Sequence, residues 1–376
     1  MIYFDNCATS FFKPKEAIDG LYECVTKLPV NPNRSFNALT RELSEKIFET
    51  RQLIADLVNL SNPNNVVFGL NCTETLNLAI FGSINKKNSH VITTALEHNS
   101  VLRPLYLLQK SGYIQLTVLT PDKNMKVSAN DVINALLPNT AMVILSHVSN
   151  VIGATQELTE IGKVCHNNGI LFVVDASQSI GYLPINVKSM HINLLAFPAH
   201  KGLHGVAGCG VLCFDNNSIP HPIKFGGTGT NSHLLTQPTL SPDGLESGTL
   251  NSPNILALRG ALKWRKDNAK KFLENMQLVH TLLYENLKKI PKIKIKSVKN
   301  HSGIVTFDVY GRDSQEVCDI LANDYDIATR GGLHCAPLCH KFLGTDKTGL
   351  VRASVSGDNT TQQALDFVNA IKQIVK

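Results

Sequence analysis

Residues 170–178 read Ile-Leu-Phe-Val-Val-Asp-Ala-Ser-Gln. Five apolar residues run without a polar break and stop at Asp175. Such a run predicts a strand buried on both faces, as in a parallel sheet covered by helices. Ligands of these sheets bind outside the carboxyl ends of the strands, so Asp175 falls where chemistry would occur. A carboxylate buried there needs a cation or must take up a proton. It reads equally well as a helix N-cap.

The same pattern repeats on both sides. Short apolar runs at 91–94, 114–119, 142–145, 192–197 and 211–214 predict strands. Helical spacing at 73–84, 99–110, 128–137 and 158–168 alternates with them. Residues 14–28 and 37–60 also read as helices, with Leu43, Ile47, Leu53, Ile54 and Leu57 on one face of the second. The prolines and asparagines of 29–35 read as a loop. One large α/β domain is therefore expected over 15–260. A long helix over 254–287 would connect it to a smaller α+β domain built from 1–14 and 261–376. Strands at 303–309, 327–330 and 350–355 and helices at 314–321 and 361–374 are expected there.

The chain has 376 residues, and about 150 per domain allows two or three domains. It is 43% hydrophobic and 18% charged, which supports a large core and excludes disorder. The net charge of +6 is too diffuse to mark a nucleic-acid protein, and no direct nucleic-acid binding is expected. Much of it is local. Residues 263–299 hold eleven Lys/Arg against three Asp/Glu, read as a solvated helix face rather than a docking patch. No apolar run nears the roughly 18 residues of a membrane span. The start, Met-Ile-Tyr-Phe-Asp, lacks the basic and apolar regions of a signal peptide. A cytoplasmic protein whose nine cysteines are reduced is expected.

Chemistry gathers at the strand ends. The run 194–197 is followed by Pro198-Ala199-His200-Lys201. A lysine beside a desolvating core has a lowered pKa and a nucleophilic amine, although most lysines in loops are solvated. Asp175 and Lys201 are one strand-to-strand step apart and can face one pocket. A lysine paired with a carboxylate is what pyridoxal phosphate (PLP) requires. Asn71-Cys72-Thr73 opens a helix after extended 66–68, an anion site or a plain N-cap. His98 ends another strand and can stack on a ring, move a proton or face solvent. In 330–340, Arg-Gly-Gly-Leu-His-Cys-Ala-Pro-Leu-Cys-His, the glycines and proline mark a loop. It offers either soft metal ligands, with a spacing unlike common zinc sites, or a reactive thiol near cations. Arg352, on a strand, reads as a carboxylate clamp or a structural ion pair.

Taken in order, these segments resemble the fold-type I PLP enzymes of aminotransferase class V, and within them the cysteine desulfurase/selenocysteine lyase family. The likeness runs from Tyr3-Phe4-Asp5-Asn6 to Arg352-Ala353-Ser354 and Asn359-Thr360. It implies a mostly parallel seven-stranded sheet, PLP as cofactor and no metal. It implies Lys201 as the Schiff-base lysine, Asp175 on the pyridinium nitrogen, Gln178 on the phenolic oxygen and His98 stacked on the ring. Cys72, Thr73 and His200 would hold the phosphate, and Thr228 in Gly226-Gly227-Thr228-Gly229 would cap the phosphate of the other subunit of a homodimer. Asn31, Asn150, Arg330 and Arg352 would bind substrate, Asn150 also lying beside the cofactor. Cys335 would be the catalytic thiol, with Arg330 and His334 favouring its thiolate.

The activity implied is conversion of L-cysteine to L-alanine with a persulfide on Cys335, and possible use of L-selenocysteine. A sulfur-acceptor protein or small thiol reductant, as in iron–sulfur cluster assembly, would take the sulfur. The rivals are another class V transaminase or lyase, which needs no thiol, and a non-catalytic PLP-fold scaffold. Pro198 stands where the family usually has Ser or Thr, which removes one phosphate hydroxyl. Pro198→Ser is therefore expected to tighten PLP binding by roughly 1.5–3 kcal/mol. Titration of apoprotein with PLP measures this; unchanged or weaker affinity would mean that the native donors suffice.

Overall fold

This computed structural model describes residues 1–32 and 37–376. The loop expected over 29–35 thus falls partly, at Asn33, Arg34 and Ser35, outside the described residues. In chain order the strands are β1 (Ile2–Tyr3), β2 (Val66–Gly69), β3 (Ser89–Thr94), β4 (Ile114–Leu119), β5 (Thr140–Ser146), β6 (Leu171–Asp175), β7 (Leu194–Pro198), β8 (Gly210–Phe214), β9 (Ile293–Ile295), β10 (Ile304–Val309), β11 (Ile327–Ala328) and β12 (Val351–Ser354). The helices are α1 (Lys15–Lys27), α2 (Ala38–Val58), α3 (Cys72–Ser83), α4 (Asn99–Lys110), α5 (Ala129–Ala135), α6 (Leu158–Asn167), α7 (Ser252–Leu287), α8 (Ser314–Tyr325), α9 (Pro337–Leu343) and α10 (Thr361–Ile374).

Seven strands form the central sheet in the order β2-β8-β7-β6-β5-β3-β4. Neighbours from β4 across to β7 are parallel, and β8 runs against both β7 and β2. Alternate residues of one strand enter different cores. Phe172 and Val174 join one core and Val173 the other, as Leu195 and Phe197 do against Leu194 and Ala196. Both faces are covered, so the strands read as unbroken apolar runs. Asp175 lies in register with Ser146 on β5 and Ala196 on β7. Three strands thus end together and open onto one side.

α7 joins this sheet to a second unit. Its 36 residues span about 54 Å. Ile255, Leu256, Leu258 and Leu262 pack into the core around the large sheet. Met276, Val279, Leu283 and Leu287 enter a separate core with Phe307, Val351 and Phe367. That core lies against the antiparallel sheet β12-β10-β9, and β1 pairs with β11 beside it.

Three expectations change. The loop expected through 330–340 contains a helix, α9. Pro337 occupies its first turn, where a missing N–H costs nothing, and Gly344 ends it at φ 67°. The strand expected over 327–330 shortens to β11, Arg330 making only an isolated bridge to Arg352. The basic residues of 263–299 are not one helix face. Lys292, Lys294 and Lys296 lie on or beside β9, an outer strand of its sheet, where lysines oppose pairing with another chain.

α1 crosses α7 through two glycines. A Cβ on Gly260 would meet the Glu16 carbonyl oxygen, and one on Gly20 the Leu256 carbonyl oxygen. Gly260→Ala must part the helices and should cost about 1–3 kcal/mol. Urea unfolding should show a lower midpoint at unchanged slope; a wild-type midpoint would show that the crossing is not tight.

Candidate active site

A cavity of about 240 Å³ opens at the carboxyl ends of β5, β6 and β7. Lys201 and Asp175 both line it. Burial lowers the Lys201 pKa, and the Asp175 carboxylate opposes that shift without cancelling it. Asp175 Oδ1 accepts from the Ser177 N–H at 2.9 Å, which fixes the carboxylate. The amine is therefore biased toward its neutral, nucleophilic form.

Two helix N-termini face the same space. Asn71 caps α3, and Cys72 and Thr73 in its first turn line the cavity. His98 caps α4, its Nδ1 accepting from the Ser100 N–H at 3.0 Å. Burial drives the His98 pKa down to about 4, against the pull of Asp175, so the ring is neutral. Thr73 Oγ1 and Ser100 Oγ are 2.8 Å apart, and Cys72 Sγ and Ser177 Oγ 3.2 Å. Burial, then Asp175, push the Cys72 thiol up to about 12, making it a neutral lining group. His200 also lines the cavity; burial, then Lys201, lower its pKa to about 4. Gln178 Nε2 donates to the Cys7 carbonyl at 3.1 Å.

Arg352 is 1% exposed. Its Nη2 pairs with Asp5 Oδ1 at 2.9 Å, and Nη1 donates to the Asn150 carbonyl at 3.0 Å. The structural ion pair is thus realised, and Nε remains buried without a partner. The Asn150 side chain donates to the His334 carbonyl at 2.7 Å, so it fastens the loop that carries Cys335. Arg330 Nη2 donates to Cys335 Sγ at 3.7 Å. His334 does not share the role of cation. Its pKa is held well below 6.5, first by burial and then by Arg352, so it brings no positive charge to the thiol. Cys339 is fully buried, and burial pushes its thiol up to about 12, whereas Cys335 is partly exposed.

Three expected residues are not part of the cavity lining: Cys335, whose neighbour His334 is, and Asn31 and Thr228. Asn31 donates to Thr249 Oγ1 at 3.5 Å and does not line the cavity. Thr228 sits in the segment 225–238, its hydroxyl donating to the Thr230 carbonyl at 2.9 Å. Among the described residues no group of three or more His, Cys, Asp or Glu is arranged to hold a metal.

Glu97, Ser177 and Asp5 also belong to the site, without a local sequence signal that marks them. Ser177 and Asp5 stand beside assigned residues in sequence or space, and their roles come from partners distant along the chain. Glu97 is 0% exposed, and accepts from Thr94 Oγ1 at 2.5 Å and Ser146 Oγ at 2.8 Å.

A partly desolvated lysine and a buried aspartate at adjacent parallel strand ends, with neutral imidazoles and helix N-termini around them, supply the groups that a PLP site requires. The residues fit that cofactor. His200 Nδ1, Gln178 Oε1 and Arg352 Nε are buried polar atoms without partners, and all three side chains line the Lys201 cavity. A family model for aminotransferase class V matches residues 2–367. A probable cysteine desulfurase of Pyrococcus abyssi is 31% identical, with 100% of this chain and 94% of the relative covered. Cysteine desulfurase IscS of Vibrio campbellii is 31% identical, with 99% and 91% covered. The apo structure of a cysteine desulfurase from Thermococcus onnurineus NA1 matches at TM-score 0.92 and 30% identity, covering 100% of this chain and 94% of that one. The chain belongs to the aminotransferase class V family.

Glu97 gives a pH signature. Burial raises its pKa from 4.5 to about 7, which its two hydroxyl donors only partly oppose. The native state then holds a proton that the unfolded state has lost, so this contribution is full below pH 4.5 and disappears as pH rises through 7. It corresponds to roughly 3 kcal/mol. Glu97→Gln should flatten the loss of stability across that range, compared with wild type by urea titration at several pH values. Parallel curves would place the ionisation elsewhere.

Proposed function

We propose that the chain is a PLP-dependent cysteine desulfurase, converting L-cysteine to L-alanine and leaving the sulfur as a persulfide on Cys335. The thiol carries this reading. Cys335 lies on a left-handed turn at φ 57°, a guanidinium N–H rests on its sulfur, and Arg330 and His334 line the Lys201 cavity. Transamination needs no such thiol, and a scaffold needs no buried amine.

Asp175, Gln178, His98, Cys72, Thr73 and His200 would hold the cofactor. Once bound, PLP supplies a ring that takes up the electron pair left at the substrate Cα. Lys201 Nζ, its pKa lowered by burial, accepts the Cα proton. Arg352, through its unpaired Nε, would receive the substrate carboxylate with Asn150 beside it. The Cys335 thiolate attacks the substrate sulfur in line. The new S–S bond forms as Cβ–S breaks, the bonding pair stays on Cβ, Cβ takes a proton, and the proton held at Lys201 Nζ returns to Cα to give alanine. A sulfur-acceptor protein or small thiol then attacks the persulfide and restores Cys335.

The reading extends to L-selenocysteine as an alternative substrate, to a homodimer and to a role in supplying iron–sulfur assembly. In the dimer Thr228 would serve the other subunit; strongly exposed Phe225, Leu235 and Leu240 around it support that. The nine cysteines are free, in keeping with a reducing cytoplasm. Among the described residues no helix is long and apolar enough to cross a membrane. The domain division at 15–260 against 1–14 plus 261–376 is supported by the change of core along α7.

Cys335→Ser should keep PLP absorbance and substrate binding but make little alanine from L-cysteine, because a hydroxyl is not ionised near neutral pH. Selenocysteine turnover should fall less. Wild type treated with L-cysteine and no reductant should carry persulfide on Cys335, read by mass spectrometry of residues 331–341. Full alanine production by Cys335→Ser would overturn the mechanism, and its loss in Cys339→Ser instead would move it to the other thiol.

A further inference from the structure

Beneath the Cys335 turn lies a pair of imidazoles that the reaction above does not use. His334 and His340 are 3% and 0% exposed, and their rings stack with centroids 5.5 Å apart. His334 Nε2 is 3.1 Å from the Arg330 carbonyl oxygen. His334 Nδ1 is 3.3 Å from His340 Nε2, and His340 Nδ1 is 2.9 Å from Thr345 Oγ1. The four residues bracket Cys335 on both sides.

The protons of this chain can be assigned from one end. A carbonyl oxygen only accepts, so His334 Nε2 carries hydrogen. In a neutral ring Nδ1 is then bare and must accept. The nitrogen that faces it, His340 Nε2, therefore carries hydrogen. His340 Nδ1 is bare in turn, and the Thr345 hydroxyl donates to it. Each of the three ring contacts then has one donor and one acceptor with both rings neutral, the Thr345 hydroxyl favouring Nδ1 at 2.9 Å over the His340 carbonyl at 3.5 Å. A proton added at His334 Nδ1 would set two N–H donors face to face.

The surroundings favour that neutral state. Burial lowers the His340 pKa to about 4, against a backbone hydrogen bond with Thr345 and then Asp346. His334 is held low by burial and then by Arg352, with His340 and Arg330 adding to it. The turn above needs support, because His334 and Cys335 take φ of 50° and 57°, a region that L side chains avoid. The Asn99 N–H donates to the Cys335 carbonyl and the Asn150 amide to the His334 carbonyl, both at 2.7 Å. Those bonds hold the turn from the cavity side. The imidazole chain holds it through the His334 side chain.

We propose that His340 is a positioning residue: its Nε2–H, oriented by Thr345, fixes His334 and through it the turn that presents the Cys335 thiol. Only the kinetic consequence rests on the desulfurase reading. In holoenzyme labelled with ¹⁵N-histidine, long-range ¹H–¹⁵N correlation should show both rings as the neutral Nε2–H tautomer, with no titration between about pH 5 and 8. The other tautomer, or a titration in that window, overturns the proposal on wild type alone, whatever the variants do. His340→Phe keeps a flat ring and removes the donor. Alkylation of Cys335 by iodoacetamide should then rise roughly tenfold, the scale of one buried acceptor left unpaired. The kcat with L-cysteine should fall by a similar factor, with KM and PLP absorbance unchanged. Wild-type alkylation and turnover in folded His340→Phe would sink the idea. A wild type that makes no alanine from L-cysteine while alkylation still responds to His340→Phe would refute the desulfurase reading and leave the brace intact.

Discussion

An amine and a carboxylate removed from water together constrain everything around them. Lys201 stands partly desolvated just past the end of β7, and Asp175 closes the neighbouring β6. Either charge alone would be costly there. Together they are tolerated, and the balance still leaves the lysine pKa lowered. The juxtaposition requires parallel neighbours in fixed register, because a slip of one residue turns Asp175 to the other face. The alternation of side chains between two cores is what enforces that register.

The other groups follow from the same strand ends. Strands that finish together let α3 and α4 begin together, so Asn71 and His98 cap helices on one cavity. Neutral imidazoles are the natural lining here. A histidinium at 98 or 200 would add charge beside Lys201 in a poorly solvated space, and burial removes it. Arg352 is the exception, a permanent cation brought in from the second sheet. It is tolerated because Asp5 neutralises it and the Asn150 carbonyl takes a further N–H. Standing on β12, it joins Asp5, after β1, to the Asn150 carbonyl, and so fastens the small unit to the cavity wall.

The central sheet was legible because burial on both faces leaves a plain mark, an apolar run ended by a polar residue. Lys201, Asp175 and His98 were found by that mark, as residues just past such ends. α9 was not, since Pro337 and Gly344 are loop signals unless a helix is known to start and stop there. Glu97 was passed over because adjacency to His98 says nothing of burial; its partners Thr94 and Ser146 arrive from β3 and β5. The occupation of the Asn150 amide by His334 joins residues 184 apart in sequence, and no local pattern announces it. Long-range hydrogen bonds between loops are where sequence periodicity stops informing, because loops have no period.

The thiol illustrates why such bonds matter more than the type of residue they join. A cysteine near arginine is common; one on two successive left-handed residues is not, since the fold must repay that strain. Here the repayment comes from the cavity wall. The Asn99 N–H that holds the Cys335 carbonyl immediately follows the histidine that caps α4, and Asn150 follows the strand that ends beside Asp175. The turn is thus referenced to the same strand ends as the amine and carboxylate. A small displacement of the second unit would stretch those two bonds before it disturbed Lys201. The geometry between thiol and amine is therefore set by hydrogen bonds to the carbonyls of the turn, and the catalytic side chains themselves need not touch for their separation to be defined.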